Sequence, residues 1–196
     1  MNYWDGKLVH LRALEPSDAE QFIRWNLDSE RARNYDFIWP PQSAASVQDW
    51  VNEQSKRKVE NDAFTWMIEN KKGEPVGSIQ THHCNARCGT FSYGIDIEAA
   101  HRRMGYAGEA ILMVLKYYFE ELRYQKVTIS VIADNAASIK LHEKLGFQKE
   151  GHFRRMLFSA GKYVDELWFG MTVEEFQQMH QIDSPADQKD SFHRAG

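Results

Sequence analysis

A turn of basic residues and glycines joins an apolar, β-prone segment to a long amphipathic helix, and its residue types suit anion binding. The apolar segment ends at residues 95–97, and the turn spans residues 102–108. The N–H groups at the start of a helix, together with the helix dipole, attract anions. Gly105 and Gly108 carry no Cβ that would keep a ligand away from the main chain. The sequence therefore predicts a site for a pyrophosphate or another polyanion, which we call the phosphate cradle (residues 102–108).

The pattern of the phosphate cradle differs from the two commonest phosphate loops. A Walker loop needs Lys-Ser or Lys-Thr after its glycines, and a dinucleotide loop needs G-x-G-x-x-G; neither is present here. What the turn does contain is Arg-x-x-Gly-x-Ala, at Arg102, Gly105 and Ala107. This pattern resembles the acyl-CoA pyrophosphate loop of the GNAT acetyltransferase superfamily, which is Gln/Arg-x-x-Gly-x-Gly/Ala.

The second half of the chain supplies further matches in the family's order. Residues 135–147 read Asn-Ala-Ala-Ser-Ile-Lys-Leu-His-Glu-Lys-Leu-Gly-Phe, similar to the family's Asn-x-x-Ser/Ala…Lys-Leu-Gly-Phe helix. Residues 150–151 and 159–166 are similar to the RimJ/RimL branch, which acetylates protein N-termini, polyamines and other amines. The resemblance spans about residues 7–178. On these motifs the chain is identified as a member of the superfamily, in its RimJ/RimL-type branch.

The resemblance implies an α/β (α+β) fold with a single GNAT-like domain over residues 1–182. Its mixed central sheet should have about seven strands, splayed at strands 4 and 5 and flanked by helices, and residues 183–196 should form a disordered tail. Periodicity and turn residues predict the same order of elements. The expected strands are residues 8–14, 63–69, 76–82, 90–97, 126–132, 153–159 and 162–172, and the expected helices are residues 19–27, 46–59, 110–122, 136–145 and 174–182.

The resemblance also assigns residues to acetyl-CoA, the acyl donor. Main-chain N–H groups of the cradle would hold its pyrophosphate, through Arg102, Arg103, Met104, Gly105, Tyr106, Ala107 and Gly108. The main chain of Ile95, Asp96 and Ile97 would pair with the pantetheine arm, while the side chains of Ile95 and Ile97 are expected in the core. Asn135 is expected both to cap a helix and to contact the cofactor.

His142 departs from the family pattern, because many GNAT enzymes place a tyrosine there to protonate the leaving thiolate. Asn135, Ser138 and His142 fall at i, i+3 and i+7, so they share one helix face. A tyrosine, with a pKa of about 10, suits a thiolate of similar basicity, whereas a histidine with a pKa of about 6.5 is mostly neutral at pH 7. Three readings stay open: His142 acts as the acid, Ser138 relays a proton, or no side chain does.

Other candidate sites are weaker. Asp96, Glu98 and Glu69 lie at expected strand ends, where each could be a general base or simply an exposed carboxylate. His82, His83, Cys84 and Cys88 are zinc-ligand types, but they lie near an expected hairpin turn, where successive strand residues should point to opposite faces. We therefore predict no metal site. A G-x-S-x-G hydrolase elbow is absent from the sequence.

Composition narrows the class of partner. The chain has 196 residues, a net charge of −4 and two cysteines. A negative net charge does not indicate the basic surface that nucleic-acid binding requires. No apolar run is long enough for a membrane span. The N-terminus lacks the apolar core of a signal peptide, and two cysteines make no disulfide framework, so we expect a cytoplasmic location.

The expected function is acetyl transfer from acetyl-CoA to a primary amine by direct attack in a ternary complex. The acceptor is a protein N-terminus, a polyamine, an amino acid or an amine antibiotic. Residues 29–60 would form a lid, with Phe37, Ile38 and Trp39 walling the acceptor pocket. The alternative is a non-catalytic acyl-CoA sensor, favoured by the missing tyrosine at 142. Family members often dimerise, so a homodimer is a further expectation.

Overall fold

A seven-stranded mixed sheet forms the frame of the molecule. The computed structural model describes residues 2–35, 37–58 and 61–180. The strand order is β1-β2-β3-β4-β5-β7-β6, and every neighbouring pair is antiparallel except β4 and β5. The strands are β1 (Val9–Ala13), β2 (Thr65–Asn70), β3 (Pro75–Asn85), β4 (Thr90–Ile97), β5 (Lys126–Ile132), β6 (Gln148–Ser159) and β7 (Lys162–Thr172). The expected single GNAT-like sheet is confirmed.

The two central strands separate soon after they meet. β4 pairs with β3 along most of its length, but it pairs with β5 only at Thr90–Lys126 and Phe91–Val127. Ser92 and Thr128 still touch through their hydroxyl oxygens, 3.3 Å apart. Beyond that point the strands diverge, which confirms the expected splay at strands 4 and 5 and opens a gap inside the sheet.

Helices cover both faces of the sheet. They are α1 (Ala19–Trp25), α2 (Ser29–Tyr35), α3 (Ala44–Lys56), α4 (Tyr106–Lys116), α5 (Ala136–Lys144) and α6 (Val173–His180). α4, α5 and α6 cover one face, where their apolar side chains join the larger core cluster. α1 and α3 cover the other face, around Phe22, Val47, Val51 and Met67. No helix among the described residues is long and apolar enough to cross a membrane.

The helix after the cradle is positioned by its apolar stripe. Ala110, Ile111, Val114 and Leu115 repeat at helical spacing and are fully buried. Their burial against the sheet holds α4 on its central strands and fixes its first turn beside the carboxyl end of β4. The helix was expected to continue to residue 122, but its regular α-helical part ends at Lys116. Residues 117–121 form a π-helical turn instead.

α2 is an element that the sequence pattern did not predict. Its sequence, SERARNY, has no apolar stripe, so its periodicity gives no helix signal. The helix is instead held by tertiary contacts: Arg31 forms an ion pair with the buried Asp96 of β4 and stacks over the Trp25 ring, 4.7 Å from its centre. The expected lid therefore contains a helix tied to the sheet, and the expected tail, residues 183–196, lies outside the described residues.

Candidate functional site

A cavity of about 380 Å³ lies where β4 and β5 separate, and we call it the cleft. Its inner wall is made by the diverging strands and by the helix that follows β5. That wall includes Ser92, Tyr93, Gly94, Ile95, Ile129, Ser130, Val131, Ile132, Asn135, Ser138 and His142. The wall thus contains Asn135, Ser138 and His142, the three residues that the sequence places on one helix face.

The cleft passes through the sheet from one face to the other. Tyr93 and His142 belong to the face that carries α4 and α5, where His142 packs edge-on against the buried Phe147. The opposite face of the cleft is lined by His82, Glu166 and Trp168. Strand alternation places Ser92 and Ser130 on that face as well. A donor and an acceptor can therefore reach the same gap from opposite sides.

The edge of β4 that faces the cleft offers main-chain groups. The Glu98 N–H donates to Val76 O at 2.8 Å, so Glu98 is in a hydrogen-bonded pair with β3. Hydrogen-bonded and non-bonded pairs alternate along an antiparallel ladder, so the N–H and C=O groups of Ile95 and Ile97 point away from β3. On that side β5 has already diverged. This edge fits the extended amide arm of a pantetheine, and the Ile97 side chain is buried as expected.

The phosphate cradle has the backbone geometry of an anion site. Gly105 is the N-cap of α4 at φ +85°, and Arg103 is also left-handed, at φ +65°. The N–H groups of residues 106–108 stand ahead of the first helical hydrogen bond, which Glu109 N–H donates to Gly105 O at 3.1 Å. Met104 and Gly105 are exposed, so an anion can approach these N–H groups.

The two arginines of the cradle differ in placement. The Arg102 Nε–H donates to Ile97 O at 3.1 Å, and its Nη1 lies 3.9 Å from the Glu30 carboxylate. Its guanidinium thus lies along the end of β4. Arg103 is exposed to solvent.

Glu109 fastens the cradle helix to the start of the chain. Its carboxylate accepts the N–H groups of Lys7, Leu8 and Val9 at 2.8, 2.7 and 2.7 Å. Bonds from N–H groups to a carboxylate are among the stronger ones in proteins. The first turn of α4 is therefore fixed against β1 as well as against the core.

On α5 the expected cap is confirmed. The Asn135 side chain accepts the Ser138 N–H at 3.1 Å and so starts the helix. Ser138 and His142 follow on the same face and line the cleft, with the Ser138 hydroxyl 3.3 Å from His142 Nδ1. Asn135 thus sets the direction of the face that carries both candidate catalytic residues.

His142 is buried and both of its ring nitrogens are engaged. Its Nδ1 lies 2.8 Å from Ser138 O, and a carbonyl only accepts, so Nδ1 carries the proton. Its Nε2 lies 2.9 Å from the Tyr93 hydroxyl and accepts from it when the ring is neutral. Burial lowers the pKa of His142 and raises the pKa of Tyr93. At pH 7 the pair is therefore uncharged.

The three carboxylates considered as general bases each contact a side chain outside the cleft wall. Asp96 pairs with Arg31, and burial raises the pKa of Asp96 against the opposing effect of that arginine. Glu69 pairs with Arg12, and Glu98 lies 3.4 Å from the Gln21 amide. Within the described part of the cleft wall, the carboxylate present is Glu166, whose Oε2 accepts the Trp168 Nε1–H at 3.0 Å.

His82 and His83 were expected on opposite faces of a strand, and that expectation is wrong. The ladder of β3 with β4 shifts register between His82 and Asn85, and His83 has a left-handed φ of +51°. This bulge brings both rings to the cleft, with their Nδ1 atoms 3.0 Å apart. Among the described residues no group of three or more potential metal ligands forms.

Tyr93 and Glu166 are cleft residues that sequence reasoning did not select, and the histidine pair was considered only as metal ligands. A weak signal existed for Tyr93, because strand alternation puts its hydroxyl on the core face, where it needs a partner. Nothing in the sequence identifies that partner, since His142 is 49 residues away. Glu166 lies inside residues 159–166, the stretch that resembles the RimJ/RimL-type branch.

Comparison with known proteins gives consistent matches. Residues 9–148 match the family described as "Acetyltransferase (GNAT) domain". The chain is 43% identical over 180 residues to an SPbeta prophage-derived N-acetyltransferase of Bacillus subtilis (strain 168), covering 92% of this chain and 98% of that one. The spermidine N(1)-acetyltransferase of Escherichia coli (strain K12) is 24% identical, and the match covers 79% of this chain and 81% of that one. A spermidine N-acetyltransferase from Vibrio cholerae, solved with CoA and spermine, superposes with a TM-score of 0.77 at 22% identity, covering 87% and 99%, which shows a shared fold.

Proposed function

Because this chain belongs to the GNAT acetyltransferase family and is an acetyl-CoA-dependent N-acetyltransferase, we propose that its acceptor is a cationic primary amine that carries no carboxylate beside the amino group. The observation that carries this proposal is the charge of the cleft. Among the described residues that line the cleft, Glu166 is the one with a carboxylate, and none is a lysine or an arginine.

The electrostatics of the cleft select among the four acceptor classes. An ammonium group is attracted by Glu166, and the Trp168 ring beside it offers an aromatic face to a cation. A free amino acid would bring its own carboxylate into the same space, and no guanidinium or ammonium of the described wall would balance it. Polyamines, peptide N-termini and aminoglycosides lack that carboxylate next to the reacting nitrogen.

The relatives support the polyamine class in particular. The Escherichia coli relative is a spermidine N(1)-acetyltransferase, and the chain also resembles the RimJ/RimL-type branch in residues 159–166. Polyamines carry several positive charges, so one ammonium can contact Glu166 while another nitrogen reacts. We therefore place polyamines first among the candidate acceptors.

The donor side of the site fits acetyl-CoA by its main chain. The N–H groups of residues 106–108 suit the pyrophosphate, and the outward edge of β4 at Ile95 and Ile97 suits the pantetheine. Acetyl-CoA supplies an activated acetyl group as a thioester. The Ile97 N–H, on this edge, is placed to stabilise negative charge that develops on a carbonyl oxygen.

We propose that Ser138 and His142 deliver the proton that the leaving sulfur needs. The Ser138 hydroxyl lines the cleft and lies 3.3 Å from the protonated Nδ1 of His142. Ser138 can therefore give its proton to the sulfur and regain one from His142 Nδ1, while the Tyr93 hydroxyl gives its proton to His142 Nε2. A proton from solvent restores the chain between turnovers.

A panel assay tests the proposed acceptor. Release of free thiol from acetyl-CoA is measured with spermidine, N-terminal peptides, aminoglycosides and free amino acids, and acetyl-CoA binding is measured by calorimetry in the same preparation. We expect turnover with spermidine and none with free amino acids. Turnover confined to amino acids, or acetyl-CoA binding with no turnover on any amine, would contradict the proposal.

A matched pair of variants tests the role of Glu166. Glu166→Gln removes the charge and keeps the shape, and we expect the KM for the amine to rise about tenfold, equivalent to about 1.4 kcal/mol. Affinity for acetyl-CoA should be unchanged. Glu150→Gln on β6, which pairs with Lys126 outside the cleft, is the control and should leave both values as they are.

A further inference from the structure

The two histidines of the β3 bulge stand on the acceptor side of the cleft. The rings of His82 and His83 are perpendicular, with centres 4.6 Å apart and Nδ1 atoms 3.0 Å apart. A contact of that length between two ring nitrogens holds one proton, because one nitrogen must donate and the other accept. Whichever ring donates at Nδ1 keeps its Nε2 unprotonated and able to take a proton.

The two rings differ in exposure. His83 is exposed to solvent, while His82 is half-buried in the cleft wall. Of the two arrangements that the Nδ1–Nδ1 contact allows, the one in which His82 donates leaves the Nε2 of His82 unprotonated in the cleft wall. We propose that His82 and His83 form a proton relay, which takes the proton of the attacking acceptor nitrogen at His82 Nε2 and releases a proton to solvent from His83 Nε2.

The relay rests on the proposed acetyl transfer. The reacting nitrogen, present as the neutral amine, attacks with its lone pair and forms a C–N bond to the acetyl carbon while the C=O π pair moves onto oxygen. That nitrogen becomes positive and strongly acidic, and the C=O bond re-forms when the C–S bond breaks. His82 Nε2 takes one proton from that nitrogen, the His82 Nδ1 proton passes to His83 Nδ1, and His83 Nε2–H gives its proton to water. The C–S bond breaks with its electron pair on sulfur, which takes a proton from Ser138.

The surroundings keep His82 ready to accept. Burial and the neighbouring His83 lower the pKa of His82, so it is neutral at pH 7. The titratable groups that share the cleft are His83 beside it, Tyr93 and His142 on the inner wall, and Glu166 from β7. Of these groups Glu166 is the carboxylate, and Tyr93 and His142 are uncharged at pH 7.

The first test needs no turnover. Nitrogen-15 NMR of the wild-type protein distinguishes the two tautomers of each ring, since protonated and bare ring nitrogens differ in chemical shift. We expect His82 to be protonated at Nδ1 and bare at Nε2, with His83 the reverse. A His82 ring protonated at Nε2 at pH 7 overturns the relay.

The second test uses variants at fixed, saturating acetyl-CoA with the amine that the panel identifies. His82→Gln should lower kcat about 100-fold or more, the usual contribution of a general base. It should also abolish the acid limb of the pH profile, which is the fall in kcat at low pH caused by protonation of His82. His83→Gln still accepts from His82 Nδ1 but cannot pass a proton on, so its loss should be smaller, with the acid limb moved to higher pH. His10→Gln on β1 is the control and should behave as wild type.

Chemical rescue separates a lost base from a damaged fold. Added imidazole should restore activity to His82→Ala, because it can occupy the space that the ring leaves, and should do nothing for wild type. If a variant binds acetyl-CoA as wild type does yet keeps the acid limb, the relay is overturned while the proposed function stands. If wild type acetylates no amine, the proposed function fails, and the tautomer measurement still decides the state of the pair.

Discussion

At the scale of single residues, burial determines what His142 can do. The His142 ring is 3% exposed and hydrogen-bonded at both nitrogens. A charged imidazolium there would lose hydration without a counter-ion in contact. A tyrosine hydroxyl is nevertheless part of this chain of hydrogen bonds, supplied by Tyr93 of β4 rather than by α5.

Removing the Tyr93 hydroxyl tests that bond. Tyr93→Phe keeps the ring and leaves His142 Nε2 buried without its partner, so we expect the free energy of unfolding to fall by about 1–3 kcal/mol. Urea unfolding measures the change. Tyr163→Phe, on the exposed part of β7, should alter stability by less than about 0.5 kcal/mol. Equal effects of the two variants would contradict a specific role for the Tyr93–His142 bond.

The lowered pKa of His142 predicts a pH dependence of stability. Below about pH 6.5 the unfolded chain binds a proton at this histidine while the folded protein does not. Its contribution is therefore present above pH 6.5 and is lost as pH falls, by up to about 1.4 kcal/mol per unit. His142→Gln should destabilise most at pH 7 and less at pH 5, because the variant lacks this term.

Urea titrations of both proteins at pH 5, 6 and 7 measure that difference. The similar contribution of His82 is common to both proteins and cancels in the comparison. A destabilisation by His142→Gln that is the same at all three pH values would show that His142 is protonated alike in the folded and unfolded states.

At the scale of elements, two glycines near the start of α4 have opposite requirements. Gly105 adopts φ +85°, and a Cβ there would also lie 3.0 Å from Leu8 Cδ1, so Gly105→Ala should cost about 1–2 kcal/mol. Gly108 lies within the helix, where a Cβ would meet only Leu141 and Leu145 at ordinary distances of 3.8 and 4.0 Å. Gly108→Ala should stabilise by up to about 1 kcal/mol.

Acetyl-CoA affinity then separates stability from binding in the same pair. If the main chain at residue 108 contacts the pyrophosphate, Gly108→Ala should weaken acetyl-CoA binding in calorimetry although the protein becomes more stable. Unchanged affinity in Gly108→Ala would place the pyrophosphate closer to residues 105–107. A stabilised Gly105→Ala would contradict the left-handed cap.

The elements that carry their own pattern could be predicted from sequence, and those held by distant partners could not. β4 and β5 have the predicted bounds, because β-prone residues lie between clear turns. α2 was not predicted, since Arg31 and the buried Asp96 that hold it are 65 residues apart. The bulge at His83 was missed for a related reason: a left-handed residue other than glycine leaves no mark in the sequence.

The same distinction applies to the candidate site. The phosphate cradle and the shared face of Asn135, Ser138 and His142 depend on spacing within one segment, which a sequence displays. The Tyr93–His142 bond, the placement of Glu166 and the approach of His82 to the cleft depend on the order of strands in the sheet. They become visible only when β3, β4, β5 and β7 are side by side.

At the scale of the whole molecule, a cleft that crosses the sheet predicts the order of events in the reaction. α5 and α4, whose first turn carries the cradle, cover one face of the sheet, and His82, Glu166 and Trp168 line the cleft from the other. Donor and acceptor therefore need not exchange places in one pocket. The two free cysteines do not belong to the described cleft wall, and Cys84 donates instead to the Asp62 carbonyl at 3.3 Å.

We therefore expect a ternary complex and no acetyl-enzyme. Initial rates at varied acetyl-CoA and amine should give intersecting double-reciprocal lines, since both substrates must be bound before the C–N bond forms. A variant with Cys84→Ala and Cys88→Ser should keep wild-type kcat. Mass spectrometry of enzyme held with acetyl-CoA alone should show no covalent gain of one acetyl group. Parallel lines together with a trapped acetyl group would instead require a nucleophile, and peptide mapping of that adduct would locate it relative to the cleft.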